Sequence, residues 1–307
     1  MLRALIKTMR PRQWTKNAFV LAAVVFDRQL PNPTDVLIGG QWQQLEPLAR
    51  SLAAFFLFCL LSSSVYIIND ILDVEVDRSH PVKRLRPIAS GELPVSTAVL
   101  ATIALLLITL PLAFSLSYRF GLVVVAYFIL NLAYSNYLKH IVLIDVLVIA
   151  AGFVLRVAGG VLVLDGVQLF SPWLYVVTTL LALYLGFGKR RAEIAMIATG
   201  SQSGGAQAHR RVLDGYTLPF VDQLITIVSS TTIVAYSLYT FSAPNLPENH
   251  TMMLTIPFVV YGIFRYLYMV QVEHSGGAPE ELLLTDRPLQ ITILLWVLSV
   301  LFLFYIY

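Results

Sequence analysis

Apolar residues in this chain fall in long runs rather than in the short alternations of a soluble fold. Runs of spanning or near-spanning length cover about residues 17–30, 47–69, 94–114, 120–137, 141–163, 171–187, 217–241, 252–271 and 289–307. Lipid offers the backbone no hydrogen bonds, so a segment crossing a core of about 30 Å is helical and takes roughly 20 residues. The pattern predicts an all-α, polytopic membrane protein with nine transmembrane helices, built as one domain over residues 1–307. The first, fourth and sixth runs are short, so one of them is expected to be tilted or partly interfacial. An odd count places the two termini on opposite sides.

Composition sharpens this picture. The chain is 57% hydrophobic and 13% charged, with a mean hydropathy of +0.74, against about 25% charged residues in soluble domains. Its one cysteine, Cys59, lies inside an apolar run, which excludes an internal disulfide and a cysteine-based metal cluster. Arg3, Lys7, Arg10, Arg12 and Lys16 crowd the N-terminus with no small-residue cleavage site after them, so no cleavable signal peptide is expected. The net charge of +3 matters through its distribution: 16 of the 21 Lys and Arg lie in loops that share a side with the N-terminus. Arg28, Arg50 and Arg119 fall on the other side, and Arg156 and Arg265 lie within runs. The positive-inside rule makes the crowded side cytoplasmic, in a plasma-membrane protein whose N-terminus and polar clusters face the cytosol. The loop from Asp27 to Glu46 reads as an outer cap. On the inner side, residues 200–208 read as flexible, and residues 274–288, with Glu280, Glu281, Asp286 and Arg287, read either as a flap over a ligand or as a solvated loop before a helix starting near Pro288.

The chemistry gathers on that side. Asn69-Asp70-Ile71-Leu72-Asp73-Val74-Glu75-Val76-Asp77-Arg78 ends a membrane-length run. On a helix Asn69, Asp73 and Asp77 recur at i, i+4 and i+8, so with Asp70 they share one broad face. Carboxylates crowded this way repel unless a cation sits among them, and Mg²⁺ held by a few carboxylates and substrate phosphate fits the pattern. Arg78, Lys83, Arg84 and Arg86 follow at once, and acid for a metal beside base for phosphate reads as a diphosphate site. A second cluster runs from Tyr134 through Lys139 and His140 to Asp145. Asp145 and Arg156 lie about 20° apart around a helix and roughly 16 Å along it, so Arg156 either binds phosphate in a cavity or pairs internally with Asp145. A third cluster, Gly186 to Glu193, offers Lys189 and Arg190 to phosphate, or pairs Lys189 with Glu193, or meets anionic lipid. Before the first run, Trp14 reads as an interfacial anchor, while Lys16 and Asn17 are near enough to reach a ligand. Of five histidines only His80 and His140 stand beside the candidate site, and none has metal-ligand spacing. Nothing matches a nucleotide-binding glycine loop, a zinc site, a Ser-His-Asp arrangement or a nucleic-acid surface.

These motifs together resemble the UbiA superfamily of intramembrane prenyltransferases, over essentially the whole chain. Arg10-Pro-x-Gln13-Trp14-x-Lys16-Asn17, the run from Asp77 to Gly91, Tyr134-Ser-x-x-Leu-Lys139 with Asp145, Gly188-Lys189-Arg190-Arg191-x-Glu193 and Asp286-Arg287-Pro288 resemble its phosphoribosyl-transferring branch. The resemblance implies a UbiA-type bundle with a cytoplasm-facing active-site cavity and Mg²⁺ as cofactor. It implies transfer of 5-phosphoribose from phosphoribosyl diphosphate to decaprenyl (polyprenyl) phosphate, toward arabinan precursors of a cell wall, and a homo-oligomer. On this reading Asp70, Asp73, Asp77, Lys139 and Asp145 are catalytic. Asn69 joins the three aspartates at the metal, and Lys16, Asn17, Asn69, Arg78, Lys83, Arg84, Tyr134, Arg156, Lys189 and Arg190 hold substrates. Superfamily members acting on aromatic acceptors carry a second aspartate-rich motif where this chain has Lys139 and Asp145. An enzyme of that kind, moving a prenyl group from prenyl diphosphate, is the alternative. A transporter would need more ionisable residues at mid-membrane than Arg156 and Arg265.

Overall fold

The computed structural model describes residues 1–31, 39–164, 171–198, 211–243, 246, 249–273 and 279–305. The expectations for residues 200–208, 274–278 and the side chains of Glu280 and Glu281 lie outside them. Regular structure among the described residues is entirely helical. A short amphipathic helix α1 (Leu2–Met9) leads into a 3₁₀ stretch, Pro11–Leu21, that runs on as α2 (Ala22–Phe26). Then come α3 (Glu46–Leu72), the short α4 (Val74–Ser79), α5 (Val95–Leu116), α6 (Tyr118–Asn136), α7 (Ile144–Leu162) and α8 (Pro172–Ala198). The chain closes with α9 (Leu218–Ser242), α10 (Ile256–Gln271), the short α11 (Pro279–Thr285) and α12 (Arg287–Tyr305).

Seven of the described helices are long and apolar enough to cross a membrane: α3, α5, α6, α7, α9, α10 and α12, two of them, α3 and α10, counted with the turns before them. The other two predicted runs differ in kind. Helix α8 is 27 residues long, but the stretch from Lys189 onward holds Lys189, Arg190, Arg191 and Glu193, which lower its apolar character. The first run is entered by a 3₁₀ stretch, Pro11–Leu21, that begins before it and lasts eleven residues, which is long for that geometry. A 3₁₀ helix rises about 2.0 Å per residue against 1.5 Å for an α-helix. The sixteen residues from Pro11 to Phe26 therefore extend about 30 Å, the thickness of the hydrocarbon core.

Side-chain contacts fix which ends lie together. At one end Arg10 reaches Asp70, Arg190 reaches Asp145, Arg191 reaches Asp222 and Arg265 reaches Asp286. At the other, Tyr305 donates to the Val25 carbonyl and Arg28 lies over the Phe304 ring, while Trp173 at the start of α8 packs in the same cluster as Phe26 and Phe304. Small residues let helices close up, as membrane bundles require. At Gly160 an added Cβ would lie 1.9 Å from the Val20 carbonyl oxygen, so α7 touches the 3₁₀ stretch backbone to backbone.

Candidate active site at the polar end of the bundle

Helix α3 ends where its polar residues begin. Asp73 has φ −93° and ψ 8° between α3 and α4, yet the ladder continues across it, with Asp73 N–H donating to Asn69 C=O and Asp77 N–H to Asp73 C=O. The near-helical register keeps Asn69, Asp73 and Asp77 on one side, as their spacing predicts. Asp70 and Asp77 are buried, Asn69 and Asp73 partly so. Burial of two carboxylates is tolerable only with partners, and two arginines provide them. Arg86 Nη1 lies 3.0 Å from Asp70 Oδ1 and 2.6 Å from Asp77 Oδ2, and Arg10 Nη2 lies 2.5 Å from the same Asp70 oxygen.

The surrounding backbone aims those arginines. Arg10 sits in the left-handed region at φ 55°, ending α1 and turning the chain into the 3₁₀ stretch, and its guanidinium stacks 5.1 Å over the Tyr66 ring. Ala4 of α1 packs in a cluster with Ile67, Ile88, Leu93 and Ala98, which ties the N-terminal helix to the Arg86 loop. That loop is folded by His80, whose Nδ1 accepts from the backbone N–H of Val82 and Lys83, and by Gly91 at φ 82°, a conformation that suits glycine. His80 is thus a loop builder. Arg78 is exposed and donates to Glu75 and the Ala89 carbonyl. Lys83, partly buried, and Arg84, exposed, lie in the turn Lys83–Leu85 just before Arg86.

A second buried cluster lies on α7 and α8. Asp145 and Arg190, at 0% and 1% exposed, approach to 2.8 Å between Oδ2 and Nε; the approach is an ion pair out of line for a hydrogen bond. Arg190 also holds Glu193. Tyr216 donates to Asp145 Oδ1 at 2.7 Å and accepts from the Leu143 N–H at 2.7 Å. Burial first, then the Asp145 carboxylate that accepts its proton, pushes the Tyr216 phenol well above the usual tyrosine range. Leu143 stands at φ 67°, a strained position for a bulky residue, and the Tyr216 bond helps to hold it. Tyr134 stands near Arg190. Lys139, partly buried, lies in the turn Leu138–His140 just before this lock.

Arg156 is bound on all three guanidinium nitrogens by the protein itself. Its Nε donates to Asn17 Oδ1 at 2.8 Å, Nη1 to the Gly152 carbonyl at 3.0 Å and Nη2 to the Tyr127 hydroxyl at 2.6 Å. Its guanidinium also lies against the Tyr127 and Phe153 rings. The Asp145 pairing is not formed, because Asp145 is satisfied from α8 and Arg156 from the 3₁₀ stretch and α6. Asn17 is fully buried, its amide donates to Cys59 and Ser62, and its oxygen accepts from Arg156. Lys16 and Lys189 are partly buried and engaged within the protein. Trp14 differs too: its indole N–H donates to Ser63 of α3, joining the bundle rather than only anchoring in the interface. Tyr127 and Tyr216 carried no signal in the sequence; Arg10 and Arg86 were visible only as members of motifs, Arg10 at the head of the N-terminal one and Arg86 in the basic run after Asp77, and neither stood among the expected site residues.

Does this end suit a divalent cation? Among the described residues no three acidic, imidazole or thiol groups converge into a preformed cage. Mg²⁺ does not need one, since it usually takes one or two carboxylates and fills its shell with water and substrate phosphate. The donors here are hard oxygens, and Asn69 Oδ1 is shielded from solvent with no hydrogen-bond partner, an unsatisfied acceptor on the acidic face. The residues fit an open metal site completed by a ligand.

Fold and site together define a polytopic helical membrane protein that gathers acids and arginines at one end of its bundle. The chain belongs to the UbiA prenyltransferase family, whose profile matches residues 37–284. It is 34% identical to the decaprenyl-phosphate phosphoribosyltransferase of Mycolicibacterium smegmatis, over 97% of this chain and 91% of that one. It is 34% identical to the protein of the same name from Corynebacterium glutamicum, over 98% and 87%. Among solved structures, a UbiA homologue from Archaeoglobus fulgidus bound to GPP and Mg²⁺ superposes with a TM-score of 0.68 at 18% identity, covering 98% of this chain and 99% of that one. At that identity the likeness speaks for the fold.

Proposed function

We propose that the protein transfers 5-phosphoribose from phosphoribosyl diphosphate to decaprenyl (polyprenyl) phosphate, releasing diphosphate, with Mg²⁺ as cofactor. The observation that carries this reading is the 34% identity to relatives so named along nearly their whole length. The arginine-rich surroundings of a single acidic cluster support it, because donor and acceptor both bring phosphate. We infer further that the first run and α8 also cross the bilayer, giving nine crossings in one domain over residues 1–307, with the polar end in the cytosol at the plasma membrane.

Asn69 and Asp73, with Asp70 and Asp77 beside them, would hold Mg²⁺, which would supply charge to neutralise the donor diphosphate and make it a better leaving group. Arg10, Lys83, Arg84 and Arg86 hold the phosphate oxygens of the donor, with Arg78 at the rim. As the C1–O bond breaks, negative charge grows on the departing oxygens, and these fixed cations stabilise it in a partly dehydrated site. The lipid phosphate is already ionised at neutral pH, so its attack on C1 needs no general base. Lys139 and Lys189 steer it, while Asp145, Arg190 and Tyr216 position the turn that carries Lys139, with Tyr134 alongside. The prenyl tail lies between apolar helices.

Membranes containing the protein are incubated with phosphoribosyl diphosphate labelled in the ribose, decaprenyl phosphate and Mg²⁺. The expected product is a labelled lipid whose formation ceases with EDTA. Labelled product only when prenyl diphosphate and an aromatic acceptor are supplied would overturn the proposal.

A further inference from the structure

Arg86 makes both of its ion pairs from one nitrogen: Nη1 lies 3.0 Å from Asp70 Oδ1 and 2.6 Å from Asp77 Oδ2. With Arg10 on Asp70, two carboxylates and two guanidiniums cancel. A dication approaching this set meets no net charge to draw it in. Removing Arg86 from the acids leaves a net charge of −1 there, and −2 once the neighbouring Asp73 is included. Of the two arginines, Arg10 is fixed by its seat over Tyr66 and by the tight turn it forms. Arg86 follows the turn Lys83–Leu85 in an extended conformation; its side chain is as exposed as that of Arg10, 29% against 31%, and what sets it apart is the absence of an aromatic seat among the described residues. It lies at the rim, where a rotation carries the guanidinium outward without unpacking a helix.

We propose that Arg86 is an exchangeable internal counter-ion. It holds Asp70 and Asp77 while no metal is present, and passes to diphosphate oxygens when a divalent cation takes the carboxylates. The inference rests on the metal-and-diphosphate reading of this site. Charge stays balanced through the exchange: the dication replaces a monocation between the acids, and the released guanidinium meets the phosphate charge that arrives with the metal. Metal and diphosphate therefore bind together more tightly than either binds alone.

The test is Mn²⁺ binding to the solubilised full-length protein, followed by electron paramagnetic resonance, with and without inorganic pyrophosphate. With Mn²⁺ alone, Arg86→Gln is expected to tighten metal binding about ten-fold by removing a competing charge at contact distance. With Mn²⁺ saturating, the same variant is expected to weaken pyrophosphate binding about ten-fold or more, for want of a charge-assisted partner. Unchanged or weaker binding of Mn²⁺ alone overturns the exchange. Should Arg86→Gln not fold, Arg86→Lys serves, because its shorter side chain and more strongly hydrated ammonium hold the two carboxylates less well; a few-fold tightening is expected, and none overturns the proposal. Wild-type protein that takes up no Mn²⁺ under either condition defeats the metal reading itself. Wild type and variant that bind Mn²⁺ equally defeat only the exchange.

Discussion

Arg156 shows how a costly residue is kept in the membrane. A guanidinium inside a span demands partners, and this one has a donor bond from each of its three nitrogens, with two aromatic rings against it. Its value is to the fold. Arg156→Ala leaves Asn17 Oδ1 and the Tyr127 hydroxyl facing a cavity, and the expected loss is about 2–4 kcal/mol of stability, read as a lower melting temperature in detergent. A variant that melts like wild type but binds phosphoribosyl diphosphate weakly would put Arg156 in contact with substrate instead. Helical arithmetic placed Asp145 and Arg156 on one inward face, and both are buried as that implies. It could not supply their partners, which come from other helices: Arg190 for Asp145, Asn17 for Arg156. A periodicity knows only its own helix, so the pairing between helices was not legible, whereas the shared face of Asn69, Asp73 and Asp77 was.

At the scale of elements, apolar length told where segments cross and not how they rise. The run at 17–30 looked short for a spanning α-helix; as a 3₁₀ stretch from Pro11 with α2 after it, it covers the distance with fewer residues. Its contact with α7 depends on the Gly159-Gly160 pair, where Phe58 packs on the first and the Val20 carbonyl on the second. Gly160→Ala is expected to force the two backbones apart and cost about 1–3 kcal/mol or more, seen as reduced folded yield and a lower melting temperature. A variant of unchanged stability would mean that this contact is looser than described. Helix α12 is started differently: Asp286 accepts from the Leu289 N–H and holds Arg265 of α10. The Arg265 hydrogen bond, followed by that N–H, keeps the Asp286 carboxyl below the usual carboxylate range. The motif Asp286-Arg287-Pro288 is accordingly a helix cap and a clasp, a role its sequence suggested only through Pro288.

For the whole molecule, counting cations was the stronger guide. Residues that parity set on one side meet in the structure, Arg10 with Asp70 and Arg190 with Asp145, and Arg265, counted within a run, joins Asp286 of that side. The far end joins Val25, Arg28, Phe304 and Tyr305. What the count could not give is that two of the acids meant for a metal are already answered by arginines, because charge neutralisation within a fold is decided by loops such as 80–94 whose path has no period to read. That arrangement leaves Asp73 as the cleanest probe, since Asp77→Ala would also strand Arg86. The most direct measurement is ribose-label transfer to decaprenyl phosphate by Asp73→Ala in membranes, beside wild type at equal expression and across a wide range of Mg²⁺. The account predicts a normally inserted, stable protein with transfer reduced at least about a hundred-fold at every Mg²⁺ concentration; transfer at the wild-type rate would contradict it.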